Sequence, residues 1–80
     1  MKATILVRPK AGILDPQGDA VGHSLRKLGF DVAGARVGRV IDLELGVDDA
    51  DAARAEIERM CGELLANPLI ESFEIRLGES

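Results

Sequence analysis

Residues 40–65 read VIDLELGVDDADAARAEIERMCGELL, and the period of their hydrophobic pattern changes from two to nearly four along the stretch. Between Val40 and Leu45, Ile41 and Leu43 alternate with acidic residues, which is typical of a strand with one buried face. Asp48, Asp49 and Asp51 then place negative charge where the dipole of a following helix favours it. The next apolar positions recur at helical spacing and predict a buried stripe formed by Ala53, Ile57, Met60, Cys61, Leu64 and Leu65.

The residues before this stretch predict a strand and a first helix. Residues 3–8 are rich in β-branched and apolar side chains, and Pro9 then lacks the N–H that a sheet ladder needs. Asp15 directly before Pro16 is a strong helix start. The helix's apolar positions follow at i, i+4 and i+7 and are Val21, Leu25 and Leu28. Gly29 predicts that the helix ends there.

Three more strands complete the predicted order βαββαβ. Residues 31–45 predict two strands joined by a turn near Gly38, although the first has no clear register. Asn67-Pro68 ends the second helix, and alternation over residues 72–77 predicts the last strand. The sequence therefore predicts one domain over residues 1–80, of the α+β class. Its expected architecture is ferredoxin-like, with a four-stranded antiparallel sheet and two helices on one face.

The size and the open sheet face predict self-association. With 80 residues, of which 46% are hydrophobic, the chain suits one small core with a narrow margin of stability. The sheet face without helices is expected to mix Leu6 and Val40 with charged side chains. We therefore expect a homodimer or a larger homo-oligomer.

Charge and composition exclude several kinds of partner. A net charge of -4 and the absence of Trp and Tyr argue against nucleic acid, which is bound through basic clusters and aromatic stacking. The N-terminal apolar stretch is far shorter than a signal peptide or the roughly 20 residues of a membrane span. Cys61 is the only cysteine, so no internal disulfide is expected. These features predict a cytoplasmic protein with no nucleic-acid or membrane partner.

No set of residues predicts catalysis, a metal or a cofactor. His23 points away from the apolar stripe of its helix and is expected in solvent. Cys61 lies in the core stripe of the second helix, where a thiol acts as a small hydrophobe. The aspartates at 48, 49 and 51 lack the Gly and Glu of a calcium loop. Gly38-Arg39 has the elements of a weak anion site, but a simple turn explains it better, and we interpret it as contact surface.

The run Val7-Arg8-Pro9-Lys10-Ala11-Gly12-Ile13-Leu14-Asp15-Pro16-Gln17-Gly18 resembles the opening motif of the PurS family. Further matches follow in the family's order, at Leu28-Gly29-Phe30, Arg36-Val37-Gly38-Arg39 and the stretch from Met60 to Glu71. Arg39 stands where the family commonly has Lys, which replaces a point charge with a bidentate fork. Ser72-Phe73 replaces the more usual acidic-aromatic pair.

The resemblance implies a subunit of the multi-protein phosphoribosylformylglycinamidine (FGAM) synthase of purine biosynthesis. In that family the PurL-type synthetase subunit uses ATP and Mg, the PurQ-type glutaminase subunit releases ammonia, and PurS copies bridge or organise the two. The implied role is a non-catalytic assembly subunit that is inactive alone and binds no cofactor. A hypothesis from another class is a small homodimeric ligand-sensing module of ferredoxin-like topology.

Two segments at helix boundaries carry polar groups beyond what a cap or a stop requires. Together with the interpretation of residues 38 and 39 as contact surface, they give the predicted partner-binding residues Asp15, Pro16, Gln17, Gly18, Gly38, Arg39, Asn67 and Glu71. A purely structural role of these residues as caps and turns is the alternative, because both roles draw on the same residue types.

Overall fold

Three antiparallel strands form the sheet in the computed structural model, which describes residues 1–78. The central strand β1 (Lys2–Pro9) pairs with β2 (Arg39–Glu44) on one side and with β3 (Glu71–Leu77) on the other. Leu6 lies opposite Val40 in one ladder and opposite Glu74 in the other. The last two residues of the predicted domain lie outside the described residues.

The core lies between β1 and the second helix, α2 (Ala50–Met60). The alternate residues Ala3, Ile5 and Val7 point to the helix side of the sheet and are buried against Ile57 and Cys61. Asp49 caps α2 because its side chain accepts from the N–H of Ala52, as the cluster of aspartates predicts. The predicted stripe is confirmed at Ala53, Ile57 and Cys61, all fully buried.

The stripe prediction is wrong at Leu64, whereas Met60 and Leu65 are partly buried against the core. α2 continues into a π-helical turn, Cys61–Leu65, in which the N–H of Ala66 donates to the carbonyl oxygen of Cys61. This wider turn changes the angular spacing of the side chains. Leu64 is therefore rotated off the buried face and is 82% exposed.

The first helix, α1 (Pro16–Lys27), has the predicted bounds but not the predicted place. Asp15 caps its first turn, and Gly29 follows Leu28 with φ of +98°, the left-handed conformation that ends many helices. The expectation that both helices cover one face of the sheet is wrong for the single chain. Val21 and Leu28, on the apolar stripe of α1, are 43% and 73% exposed.

The second predicted strand, between Asp31 and the predicted turn near Gly38, does not form in the described part of the chain. Residues 31–38 lie beside α1 instead, where the N–H of Val37 donates to Asp15 and Arg26 donates to the carbonyl of Val32. Two buried glycines, Gly18 and Gly22, leave a groove on α1 that this segment occupies. The segment then continues directly into β2, so the predicted turn near Gly38 is wrong as well.

Residues 15–37, which we call the arm, extend the molecule. The Cα radius of gyration is 15.7 Å, whereas a compact domain of this length has about 12 Å. The principal dimensions are 48 × 28 × 14 Å. A single copy therefore leaves an apolar helix face and one whole sheet face uncovered.

Candidate partner-docking site

Six of the eight predicted site residues line one cleft of about 350 Å³. The cleft lies where the loop before α1 meets the start of β2 and the turn before β3. Its lining consists of Pro9, Ile13, Leu14, Asp15, Pro16, Gln17, Val37, Gly38, Arg39, Ile70 and Glu71. The other two predicted residues lie beside it: Gly18 donates its N–H to Asp15, and Asn67 donates its N–H to Glu71.

Asp15 fixes one wall of the cleft. One carboxylate oxygen accepts from the N–H of Gly18 at 3.0 Å, and the other accepts from the N–H of Val37 at 3.0 Å. The hydrogen bond from Gly18, then the one from Val37, and the nearby charge of Arg36 hold the pKa of Asp15 below its ordinary value, although burial acts in the opposite direction. Asp15 therefore both caps α1 and holds the segment that leads from α1 to β2 in place at Val37.

Two glycines are required because backbone passes close to them. A Cβ at Gly18 would overlap the carbonyl oxygen of Ala35. A Cβ at Gly38 would overlap the carbonyl oxygen of Val7, on the neighbouring strand. Both glycines of the predicted site therefore have a packing role that any side chain would disturb.

Arg39 and Glu71 form the second wall through a hydrogen-bonded ion pair. The guanidinium of Arg39 donates to both carboxylate oxygens of Glu71, at 2.8 and 3.1 Å, and to the carbonyl oxygen of Leu65 at 2.6 Å. These three bonds need the planar fork of arginine, which a lysine ammonium does not supply. The pair joins the start of β2 to the π-helical turn and to β3.

Glu71 also closes the turn that precedes β3. Its carboxylate accepts from the N–H of Asn67 at 2.7 Å, and the side chain of Asn67 accepts from the N–H of Leu69 at 3.1 Å. The hydrogen bonds from Arg39 and Asn67, with the Arg39 charge, hold the pKa of Glu71 below its ordinary value. The carboxylate of Glu71, both Nη groups of Arg39 and the side-chain oxygen of Asn67 are thus engaged within the chain.

Pro16 and Gln17 differ from the other predicted site residues because both are exposed and neither fastens the fold through its side chain. Pro16 occupies the first position of α1, where its missing N–H costs nothing. Among residues 1–78, the Gln17 side chain makes no hydrogen bond. Gln17 is therefore the predicted site residue with the most freedom to contact a partner.

The apolar rim of the cleft was missed in the sequence. Leu14 is 78% exposed, and Ile70 is exposed beside it. The hydrogen bond from Lys10 N–H to the carbonyl of Ile70 brings these two turns together. The sequence feature that could have revealed this rim is a large apolar residue in each turn, because solvent-facing turns usually carry polar residues.

The remaining sequence expectations concern single groups. His23 is exposed on α1 and Cys61 is fully buried, as expected. Burial, with the nearby charge of Glu58, raises the pKa of the Cys61 thiol. Within residues 1–78, no group of three or more His, Cys, Asp and Glu side chains is placed to hold a metal. None of the helices in that range combines the length and apolarity needed to cross a bilayer.

Comparison with known proteins identifies the family. The family model for PurS, phosphoribosylformylglycinamidine (FGAM) synthase, matches residues 2–79. The PurS subunit of this synthase from Methanocaldococcus jannaschii is 35% identical over 77 residues, which cover 95% of this chain and 93% of that protein. The chain belongs to the PurS family.

Solved PurS structures share the fold of this chain. The Bacillus subtilis PurS structure superposes with a TM-score of 0.87 at 34% identity and covers 98% of both chains. A chain of the PurLQS structure from Thermotoga maritima superposes with a TM-score of 0.84 at 33% identity, over 94% of this chain and 93% of that one. Membership of the PurS family confirms the sequence resemblance and favours the FGAM synthase subunit over the ligand-sensing module.

Proposed function

We propose that this chain is a non-catalytic assembly subunit of FGAM synthase that bridges the synthetase and glutaminase subunits in the cytoplasm. The complex converts formylglycinamide ribonucleotide, ATP and glutamine to FGAM, ADP, phosphate and glutamate. In this proposal the PurL-type subunit uses ATP and Mg, and this chain binds no cofactor. The observation that carries the proposal is the 33% identity, over nearly the full chain, to a component of the Thermotoga maritima PurLQS structure.

The docking surface in this proposal is the cleft between α1 and the turn before β3. Support comes from its composition, because exposed apolar residues of both turns line it. The side chain of Gln17, which makes no hydrogen bond among residues 1–78, lines it as well. Apolar residues exposed in a concave site are typical of protein interfaces. The bonds of Asp15, Arg39 and Glu71 hold this surface rigid, which reduces the entropy lost on docking.

Two exposed side chains of α1 give a matched test of this docking surface. Gln17→Ala removes the free amide at the cleft, whereas His23→Ala truncates an exposed side chain on the same helix outside it. We expect Gln17→Ala to keep the melting temperature and the self-association of the wild type. It should nevertheless raise the concentration needed for half-maximal co-elution with the synthetase and glutaminase subunits. Equal behaviour of both variants would reject the role of Gln17 in docking.

A second copy of the chain is the proposed cover for the arm. Its apolar face consists of the exposed Val21, Leu28 and Phe30 and the half-buried Leu25, and no strand within residues 1–78 packs over it. Burial of such a face is a main source of stability for a small domain. We therefore infer a homodimer or larger assembly in which each arm packs against another copy.

The four-stranded ferredoxin-like layer belongs to this assembled state in our proposal. The outer edge of β2 is unpaired in the described part of the single chain, and residues 31–38 run into β2 without a turn. Unpaired strand edges are templates for a further strand. A second copy that supplies this strand would complete the sheet and cover the open helix face together.

A further inference from the structure

A basic corner exists in this acidic chain because two stretches without Asp or Glu meet on neighbouring strands. Residues 1–14 and 32–41 contain no acidic residue, although the chain as a whole has a net charge of -4. The antiparallel pairing of β1 and β2 sets Val7 opposite Arg39. The end of one basic stretch therefore meets the middle of the other.

A second cleft, of about 320 Å³, lies at this corner and shares Pro9, Gly38 and Arg39 with the cleft between α1 and the turn before β3. Arg8, Arg36 and Arg39 line it together with Leu6, Val7, Pro9, Gly38 and Val40, and no residue of the lining is acidic. Gly38 makes room for it, because a Cβ there would stand 3.3 Å from Cγ of Arg8 as well as overlapping the Val7 carbonyl. We call this feature the basic cleft.

Arg8 and Arg36 retain unused hydrogen-bond donors. Within residues 1–78, the guanidinium of Arg8 makes no hydrogen bond, and its one ionic contact is Glu74 at 3.8 Å. Towards the described residues, Arg36 uses only Nη2, which donates to the carbonyl oxygens of Pro9 and Lys10 at 3.1 and 2.8 Å. A guanidinium has five N–H donors in a fork that matches a carboxylate.

Two apolar side chains distinguish this cleft from a site for a free inorganic anion. Val40 is 60% exposed, and Leu6 lies directly across the ladder from it. A small oxyanion has nothing to bury against these groups, whereas a protein segment has both charged and apolar side chains.

We propose that the basic cleft docks a partner segment that carries a carboxylate beside an apolar side chain. Arg8 would be the main recognition residue, with Arg36 held in place by its two carbonyl bonds. The inference rests on the proposed function, since the partner is one of the two larger subunits. Charged contacts of this kind contribute more to association rate and orientation than to affinity.

Arg8 and Arg76 give a closely matched pair for the test. Both side chains are about 60% exposed, at 62% and 61%, and both contact Glu74, but only Arg8 lines the basic cleft. The purified chain, as wild type, Arg8→Glu or Arg76→Glu, is titrated into the synthetase and glutaminase subunits at low and high salt. We expect Arg8→Glu to slow association about tenfold at low salt and to flatten its salt dependence, while Arg76→Glu stays near wild type.

Three results would overturn the inference. The first is equal association of the two variants with the larger subunits. The second is loss of self-association by Arg8→Glu alone in light scattering, which assigns the cleft to a contact between copies. The third is calorimetric binding of millimolar inorganic phosphate to the wild type but not to Arg8→Ala, which would assign the basic cleft to a free oxyanion. Failure of the wild type to join the complex at all would instead contradict the proposed function.

Discussion

At the scale of single residues, Gly18 is packed too closely by its neighbours to accept a side chain. A methyl group there meets the Ala35 carbonyl and the Asp15 carboxylate, whereas a methyl group at Gly62 meets nothing within 4 Å. Gly18→Ala should lower the free energy of unfolding by about 1–3 kcal/mol through overpacking. Gly62→Ala is the control and should be neutral or slightly stabilising. Urea unfolding monitored by circular dichroism measures both, and equal midpoints would contradict the close approach at Gly18.

Glu71 makes a prediction about pH. Because the fold lowers its pKa from the ordinary value of 4.5, the unfolded chain binds its proton first. The stability that Glu71 contributes is therefore present above pH 4.5 and is lost as pH falls through the lowered folded value. The difference in melting temperature between wild type and Glu71→Gln should be several degrees at about pH 6 and should shrink towards about pH 3.

The control for this pH series is Glu56→Gln. Glu56 is exposed on α2 and has neither an ion pair nor a hydrogen bond from its side chain among residues 1–78. Its substitution should change the melting temperature little at any pH. A difference for Glu71→Gln that stays constant with pH would contradict the ion pair with Arg39.

At the scale of the elements, the sequence pattern predicted the features of helices and strands that depend on residues close together in the chain. The bounds of α1 could be predicted from Asp15-Pro16 and Gly29 because capping is local. The apolar stripe of α1 indicated burial, but no pattern in one sequence tells whether the covering surface belongs to the same chain. The prediction of a strand before Gly38 failed because Gly18 and Gly22 give that segment a competing groove on α1.

The candidate site could be predicted only in part for the same reason. Helix-boundary motifs pointed to Asp15 and Glu71 separately, yet the hydrogen bonds that occupy them come from Val37 and Arg39, which are 22 and 32 residues away in sequence. The Arg39–Glu71 pair depends on the register of β1 with both of its neighbours. The sequence therefore predicted the participants of the cleft but not that most of their polar groups are used internally.

At the scale of the whole molecule, the arm predicts a dimer that a single charge disrupts. Leu28 on the arm and Leu64 on the π-helical turn are 73% and 82% exposed, so both should tolerate Asp without loss of the monomer fold. Leu28→Asp should shift the equilibrium to monomer across micromolar concentrations in light scattering, because it places a charge in an apolar contact. Leu64→Asp should associate like wild type. A wild type that is monomeric throughout would contradict the assembly.

The central claim is that the chain adds no chemistry of its own and organises subunits that do. The most direct measurement is glutamine-dependent FGAM formation by the synthetase and glutaminase subunits, with increasing amounts of this chain. The pure chain should hydrolyse neither ATP nor glutamine, and its addition should raise the rate of FGAM formation to a plateau. A full glutamine-dependent rate without the chain, or turnover of ATP or glutamine by the chain alone, would contradict the account.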